Sequence, residues 1–135
     1  MPILSQAHVL VADDDPELLD AVADGLKHLG ADVARASSGA ELIDQLAGAG
    51  PFDLVVTDIK MPWMNGLQAM HATRAAGMGT AVIVMTALTD ERISTLVRGL
   101  GENALLLHKP FSLSELESAA SKLLPPTRTD APAAN

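Results

Sequence analysis

The hydrophobic positions of this 135-residue chain change their spacing repeatedly, and each change marks a new element of secondary structure. Five short apolar runs predict β-strands, and between them apolar residues recur every three or four positions, as in amphipathic helices. The predicted strands cover residues 8–12, 32–36, 53–57, 81–85 and 104–107. This alternation with short connections indicates a parallel sheet with right-handed crossovers and helices on both faces. The pattern alone leaves the strand order open.

The predicted helices begin at residues with capping chemistry. Asp15 is expected to cap the first helix, with Pro16 at its first position and Gly30 after its end. Its apolar stripe is predicted at Leu18, Val22, Leu26 and Leu29. Two further starts have capping-box spacing, at 38–41 and 112–115, and the remaining helical segments are predicted over 67–76 and 90–100.

Length and composition predict one domain. With 48% hydrophobic residues the chain can bury a single core, which we place at residues 7–124, between an extension at 1–6 and a tail at 125–135. That tail contains three prolines and no apolar periodicity, so it is predicted to be disordered or part of a linker. The chain has no cysteine and no apolar stretch near the ~18 residues of a membrane helix. We therefore expect a cytoplasmic protein without membrane insertion.

The net charge of −8 argues against direct binding to nucleic acid. Affinity for nucleic acid comes mainly from lysine and arginine side chains that neutralise phosphates. Aromatic residues make up only 2% of the chain, so platforms for base stacking are few as well.

Polar residues follow four of the predicted strands, where parallel strands present their carboxyl ends to one edge of the sheet. They are Asp13 and Asp14, Asp58, Thr86, and Lys109. Carboxylates brought this close repel each other unless a cation compensates, and Mg²⁺ prefers oxygen ligands of this kind. The lysine and the hydroxyl add donors for an incoming anion. Together these residues indicate a phosphoryl-transfer site, in which catalysis is positioning plus electrostatic stabilisation.

Each of these residues also has a purely structural interpretation. The acidic run that begins at Asp13 could be no more than a cluster that caps a helix. Asp58 could be a turn residue whose side chain bonds its own backbone. Thr86 alone would be a strand-end hydroxyl, and Lys109 a solvated charge. The joint occurrence at one edge favours the functional interpretation, because four independent accidents would otherwise have to coincide.

These four elements resemble the receiver domains of two-component response regulators. The resemblance covers roughly residues 7–124. It rests on Asp13-Asp14, Asp58 with Met61-Pro62 and Gly66 after it, Thr86-Ala87, and Lys109-Pro110-Phe111. It implies a flavodoxin-like (βα)₅ fold with a five-stranded parallel sheet of order 2-1-3-4-5, the architecture whose ligand lies at the switch point between strands 1 and 3.

The resemblance also implies a role for each site residue. Asp58 would be the phosphoacceptor that attacks the phosphohistidine of a partner. Asp14 would bind Mg²⁺ directly, Asp13 would assist through water, and the backbone carbonyl of Lys60 would be a third protein ligand. Lys109 would pair with a phosphoryl oxygen and Thr86 would donate a hydrogen bond to another. Ala87 would leave room for the phosphoryl group, and the Lys109–Pro110 bond would be cis.

One departure from the family pattern concerns the readout of phosphorylation. The family usually has an aromatic residue three positions before the lysine, whose ring moves inward when the threonine is recruited, and this chain has Leu106 there. The Gly-Ala pair common just before it is replaced by Glu102-Asn103. The interval from Thr86 to Lys109, 23 positions, is one longer than usual. The usual switch is therefore not expected in its ordinary form.

The leading hypothesis is a phosphorylatable receiver that takes a phosphoryl group from a histidine kinase or phosphotransfer protein. Its modification would change a surface that a downstream partner or output domain recognises. A receiver-like module that binds partners without phosphorylation is the alternative, which Leu106 keeps open. An aspartate-nucleophile phosphatase is disfavoured because Lys60 stands where such an enzyme has its general-acid aspartate. We therefore expect no enzymatic activity other than self-catalysed phosphotransfer and slow autodephosphorylation. Flavin binding is disfavoured because the flavin phosphate would meet three aspartates.

Overall fold

The computed structural model describes residues 6–48, 52–58, 80–87, 91–101 and 103–124. Within these ranges the strands are β1 (His8–Ala12), β2 (Asp32–Ala36), β3 (Leu54–Asp58), β4 (Ala81–Thr86) and β5 (Ala104–His108). The helices of the same ranges are α1 (Pro16–His28), α2 (Gly39–Gly48), α3 (Glu91–Arg98) and α4 (Leu113–Leu123). β1 and β2 match their predicted bounds. β3 is shifted by one residue, and β4 and β5 each extend one residue further.

All five strands lie in one parallel sheet of order β2-β1-β3-β4-β5. This order, which the sequence pattern left open, confirms the flavodoxin-like architecture. β3 and β4 are buried along their whole length, in agreement with the apolar runs at 54–56 and 81–85 that make up most of each strand. The carboxyl ends of the strands consequently lie along one edge.

The core has two layers, one on each face of the sheet. Alternate strand residues such as Val9, Val56 and Ile83 pack with buried residues of α1 and α4, and we call this side the α1–α4 face. The residues between them, such as Val55 and Val84, pack with buried residues of α2 and α3 on the α2–α3 face. The two-residue period of the strands thus distributes one apolar sequence over two helix layers.

The ends of α1 and α4 agree with their predicted caps. The Asp15 carboxylate accepts hydrogen bonds from the amides of Glu17 at 3.0 Å and Leu18 at 3.4 Å. The Ser112 hydroxyl and the Glu115 carboxylate form both halves of a capping box. Gly30 follows α1 with a φ of 100°, a conformation that favours glycine.

The start of α2 differs from the predicted capping box in one of its two bonds. The Ser38 hydroxyl accepts from the Glu41 amide at 3.1 Å, as expected. The Glu41 carboxylate, however, accepts from the amide and hydroxyl of Ser37, at 2.7 and 3.0 Å, one residue before the expected partner. The Ser37 amide lowers the pKa of Glu41 most, and the Ser37 hydroxyl lowers it further.

The buried stripe of α1 is also offset from the prediction. Its buried residues are Leu19, Val22, Ala23 and Leu26, whereas Leu18 is half-buried beside the carboxyl edge of the sheet. Because apolar residues of a helix stripe recur every three or four positions, either Leu18 or Leu19 could begin the stripe that leads to Val22. In the structure Leu19 is the one that faces the sheet.

Several predictions lie outside the described residues. These are the helix over 67–76, the loop from Ile59 to Gly66 with the Lys60 carbonyl, most of the extension at 1–6, and the tail at 125–135. The division of the chain into an extension, a domain and a tail therefore stays a prediction. In the described ranges, no helix combines the length and apolarity needed to cross a bilayer.

The packing of α1 predicts a large effect of truncating Leu26. This side chain is fully buried on the α1–α4 face, so Leu26→Ala should lower the free energy of unfolding by about 2–5 kcal/mol. Leu113→Ala, at a leucine that is 44% exposed, is the matched control and should cost well under half as much. Urea unfolding of both variants measures the difference, and equal losses would contradict this account of the core.

Candidate functional site

The candidate site lies at the carboxyl edge of the sheet, where β1, β3, β4 and β5 end. Asp13 directly follows β1, Asp58 is the last residue of β3, Thr86 is the last residue of β4, and Lys109 directly follows β5. Because these four strands are neighbours in the sheet, their ends adjoin. The topology thus brings together residues separated by up to 96 positions.

Lys109 joins the two buried carboxylates of the site. Its Nζ lies 3.2 Å from Asp13 Oδ2 and 3.1 Å from Asp58 Oδ1. Asp13 is 1% exposed and Asp58 8%, so neither carboxylate is well solvated. Burying two adjacent anions is costly unless a cation compensates, and the ammonium group supplies that compensation.

The position of Asp13 is tied to the start of α1 and to the end of β2. Its Oδ1 accepts a hydrogen bond from the Asp15 amide at 2.9 Å, while the Asp15 carboxylate caps α1. The Asp13 amide donates to the Ala36 carbonyl at 3.1 Å. Both oxygens of Asp13 are therefore engaged, one by backbone and one by Lys109.

Burial and charge shift the pKa of two site residues. Burial raises the pKa of Asp13 most, and the negative charge of Asp58 raises it further. The hydrogen bond from the Asp15 amide and the charge of Lys109 lower it, but the pKa remains above its ordinary value. Burial alone would lower the pKa of Lys109, but its hydrogen bonds and charge interactions with Asp58 and Asp13 outweigh it and raise the value. The ammonium form of Lys109 is thus stabilised and lost only at strongly alkaline pH.

The carboxylates of the site can hold a metal ion. Asp13, Asp14 and Asp58 each offer an oxygen within 4.8 Å of the others, and Asp14 is exposed while the other two are buried. Three hard oxygen donors around one point suit Mg²⁺, which keeps several waters and takes few carboxylates. The residues therefore fit the predicted ion. The Lys60 carbonyl, the predicted further ligand, is outside the described residues.

Thr86 and Lys109 are linked through their backbones. The Lys109 amide donates to the Thr86 carbonyl at 2.7 Å, and Thr86 itself is fully buried. The Lys109–Pro110 peptide is cis, which confirms the expectation from the resemblance.

A concave pocket of about 360 Å³ opens beside the site. It is lined by Asp15, Leu18, Ala87, Lys109, Pro110 and Phe111. The Lys109 side chain and the exposed Ala87 therefore border space that an incoming group can enter.

Leu106 lies on the α2–α3 face, in register with Val84 of β4. It is half-buried and packs against the apolar residues of that face. An aliphatic side chain thus fills the position where the family pattern has a ring.

Thr57 is a polar contact of the site that the sequence pattern did not reveal. It is fully buried on the α2–α3 side of β3, and its Oγ1 donates to the Asp58 carbonyl at 3.0 Å. Its sequence signal was weak, because threonine is a common strand residue. It is nevertheless the one residue of the run Leu54-Val55-Val56-Thr57 with a polar side chain.

Comparison with known proteins identifies the same region. The model of the response regulator receiver domain family matches residues 9–121. The transcriptional regulatory protein PrrA of Mycobacterium tuberculosis is 35% identical over 123 residues, which cover 90% of this chain and 51% of PrrA. The chain thus spans about half the length of this curated relative.

Solved structures with this fold are similar over most of the chain. Chemotaxis protein CheY4 of Vibrio cholerae has a TM-score of 0.80 and 26% identity, covering 89% of this chain and 100% of CheY4. The response regulator TrrA of Thermotoga maritima, in complex with Mg²⁺-BeF, has a TM-score of 0.78 and 27% identity, covering 88% of this chain and 100% of TrrA.

The raised pKa of Asp13 predicts that its negative charge destabilises the protein when no divalent ion is added. Asp13→Asn keeps an oxygen for the Asp15 amide and removes the charge, so it should raise the thermal unfolding midpoint at pH 7. The folded-state pKa of Asp13 lies above the ordinary 3.8. The stability of wild type relative to the variant should therefore fall as pH rises from 3.8 through the folded-state pKa.

Thermal unfolding in chelator from pH 3 to pH 8 measures this difference. Asp44→Asn, which removes an exposed charge on α2, is the control and should show no comparable gain at neutral pH. A variant Asp13→Asn that is less stable than wild type at pH 7 would mean that the Lys109 ion pair outweighs the burial of the charge.

Proposed function

Because this chain belongs to the family of response regulator receiver domains, we propose that Asp58 is its phosphoacceptor. The observation that carries the proposal is the contact of Lys109 Nζ with both Asp58 and Asp13. This contact places a fixed cation beside the oxygen that would react. The function is Mg²⁺-dependent transfer of a phosphoryl group from a phosphohistidine of a histidine kinase, or of a phosphotransfer protein, to Asp58.

In the transfer, an Asp58 carboxylate oxygen forms a bond to phosphorus while the bond from phosphorus to the donor imidazole nitrogen breaks. The products are an aspartyl phosphate and the neutral imidazole of the donor, which retains the electron pair of the broken bond and keeps the proton already held on its other ring nitrogen. Lys109 lies where it can pair with a phosphoryl oxygen as negative charge redistributes. The Thr86 hydroxyl donates to another oxygen in this scheme, and Ala87 leaves space for the group.

The three carboxylates would hold the ion in different ways. Exposed Asp14 would bind Mg²⁺ directly, and Asp58 would be the second carboxylate ligand. Asp13, whose two oxygens already accept from Asp15 and Lys109, would act through water. The Lys60 carbonyl would complete the protein ligands. When bound, Mg²⁺ would supply positive charge that offsets the phosphoryl oxygens, which the three nearby carboxylates would otherwise repel.

Phosphorylation changes the charge at the edge of the sheet. An aspartyl phosphate carries about −1.5 to −2 charge in place of the single negative charge of the carboxylate, and it presents three acceptor oxygens next to Lys109 and the end of β4. The two strand ends are linked by the bond from the Lys109 amide to the Thr86 carbonyl. The surface of α3, β5 and α4, which adjoins these ends, is the proposed recognition surface of a downstream partner or output domain.

The chain acts as a cytoplasmic signalling component in this proposal, and not as an enzyme with a separate substrate. It catalyses its own phosphorylation and slow dephosphorylation. Its charge of −8 disfavours direct contact with nucleic acid, so an output on DNA would belong to another segment or protein.

A receiver-like module that functions without phosphorylation is the second candidate, and Leu106 is the observation that favours it. Because Leu106 is aliphatic and packed on the α2–α3 face, the ring movement typical of the family has no equivalent here. Such a module would bind its partner equally well before and after treatment with a phosphodonor.

The phosphoacceptor assignment predicts a single acid-labile phosphoryl group on wild type. Incubation with acetyl phosphate and Mg²⁺, followed by intact mass measurement, should add one phosphoryl group to wild type and none to Asp58→Asn. Asp53→Asn, which changes a carboxylate at the opposite end of β3, is the control and should be labelled like wild type. Label that persists in Asp58→Asn, or is absent from wild type, would refute the assignment.

The metal assignment predicts that Asp14 sets the requirement for Mg²⁺. Asp14→Asn should raise the Mg²⁺ concentration that gives half-maximal phosphorylation by at least about tenfold, because a direct ligand is lost. The neighbouring Asp15→Asn removes the same charge but keeps a good helix cap, so its requirement should stay near that of wild type. Equal shifts in both variants would indicate a general effect of charge instead of ligation.

A further inference from the structure

Thr57 places a hydroxyl between apolar neighbours on the α2–α3 face of the sheet. The residue is fully buried, and its neighbours in register are Ala12 of β1 and Val84 of β4. Both neighbours belong to the apolar cluster of the α2–α3 face. Valine has nearly the same shape and would fill this site without the cost of burying a hydroxyl. Packing alone therefore does not account for threonine here.

The hydroxyl has a specific partner. Thr57 Oγ1 donates to the carbonyl of Asp58, the next residue, at 3.0 Å. The position of a carbonyl oxygen is set by the backbone torsion ψ of its residue. The bond therefore restrains the backbone of Asp58 from inside the core.

The restraint acts where the sheet provides less support. The pairing of β1 with β3 ends at Ala12 and Thr57, so Asp58 is paired with a residue of β4 only. The Asp58 carboxylate must nevertheless be held 3.1 Å from Lys109 and close to Asp13 and Asp14. A small rotation of the Asp58 backbone would move that carboxylate relative to both.

We infer that Thr57 is a positioning residue for phosphorylation, whose hydroxyl fixes the backbone of Asp58 so that the carboxylate is aligned for attack. The inference rests on the proposed function, because it assigns a role in the reaction of Asp58. Thr57 is fully buried and is not among the residues proposed to hold the ion or the phosphoryl group. Loss of the Thr57 hydroxyl should therefore lower the rate of phosphoryl transfer in the bound complex. It should leave the binding of the phosphodonor and of Mg²⁺ unchanged.

The test compares variants that differ in the hydroxyl. Thr57→Val and Thr57→Ala remove it, Thr57→Ser keeps it, and Val55→Ala is a control that removes packing from the same strand and face. The rate constant for phosphorylation at saturating Mg²⁺ is measured against acetyl phosphate concentration. Thermal unfolding reports the fold of each variant, and calorimetry reports Mg²⁺ affinity.

The expected result is a fall in the maximal rate of roughly tenfold in Thr57→Val and Thr57→Ala, because misplacement of a reacting group by a fraction of an ångström acts on the chemical step. KM for acetyl phosphate and the affinity for Mg²⁺ should stay within about twofold of wild type. Thr57→Ser should restore most of the rate. Val55→Ala should lower the unfolding midpoint but leave the maximal rate within about twofold.

A spectroscopic measurement tests the same contact without the reaction. In the protein without Mg²⁺, the ¹³C resonances of the Asp58 carbonyl and carboxyl should shift in Thr57→Val and return toward wild type in Thr57→Ser. They should change little in Val55→Ala. If Thr57→Val does not fold, the comparison of Thr57→Ala with Thr57→Ser decides the question.

Two results would overturn the inference. One is a maximal rate in both variants without the hydroxyl that equals that of wild type. The other is a rate in Thr57→Ser as low as in Thr57→Ala, which would assign the effect to packing. Either leaves the proposed function intact as long as wild type is labelled on Asp58, whereas absence of label from wild type would refute the proposed function itself.

Discussion

Two carboxylates buried side by side, with one ammonium group between them, are the central constraint of this structure. Asp13 and Asp58 are each less than one-tenth exposed, and Lys109 reaches both. The ammonium group between the two carboxylates offsets part of the cost of burying them side by side. The sheet order is what allows the arrangement, because it places the ends of β1 and β3 side by side and brings β5 within reach of both through β4. The pairing of charges at the site therefore depends directly on the order of the strands in the sheet.

Most of the fold could be predicted from the sequence because the strong signals are local. The apolar runs, the Asp15 and Ser112 caps and Gly30 each act within a few residues, and the structure has them as predicted. The strand order came from resemblance to a family, since no local pattern encodes which strands are neighbours. The grouping of Asp13, Asp14, Asp58 and Lys109 followed from a single rule, that parallel strands end at one edge.

The details that the sequence did not reveal depend on alternatives of nearly equal local energy. The Glu41 carboxylate could bond either of two serines, and the structure has it on Ser37. Either Leu18 or Leu19 could begin the buried stripe of α1, and contact with the sheet decides. The Thr57 hydroxyl is the sharpest case. Its sequence context reads only as a strand, and its partner becomes visible when the carbonyl of Asp58 is located in space.

The row of residues just below the site shows what kind of route could connect Asp58 to the surface. Ala12, Thr57, Val84 and Leu106 are in register on the α2–α3 face and extend from β1 to the edge strand β5. The buried residues Ile93 and Val97 of α3 pack in the same layer. In a protein with an aromatic residue on β5, a ring can change position as a unit. Here the row consists of small and aliphatic side chains around one hydroxyl, and close-packed layers of this kind respond to displacement by shifting together. In the function proposed above, the connection between Asp58 and α3 would therefore be a movement of packed strand ends, and the hydroxyl that restrains Asp58 would lie at its origin.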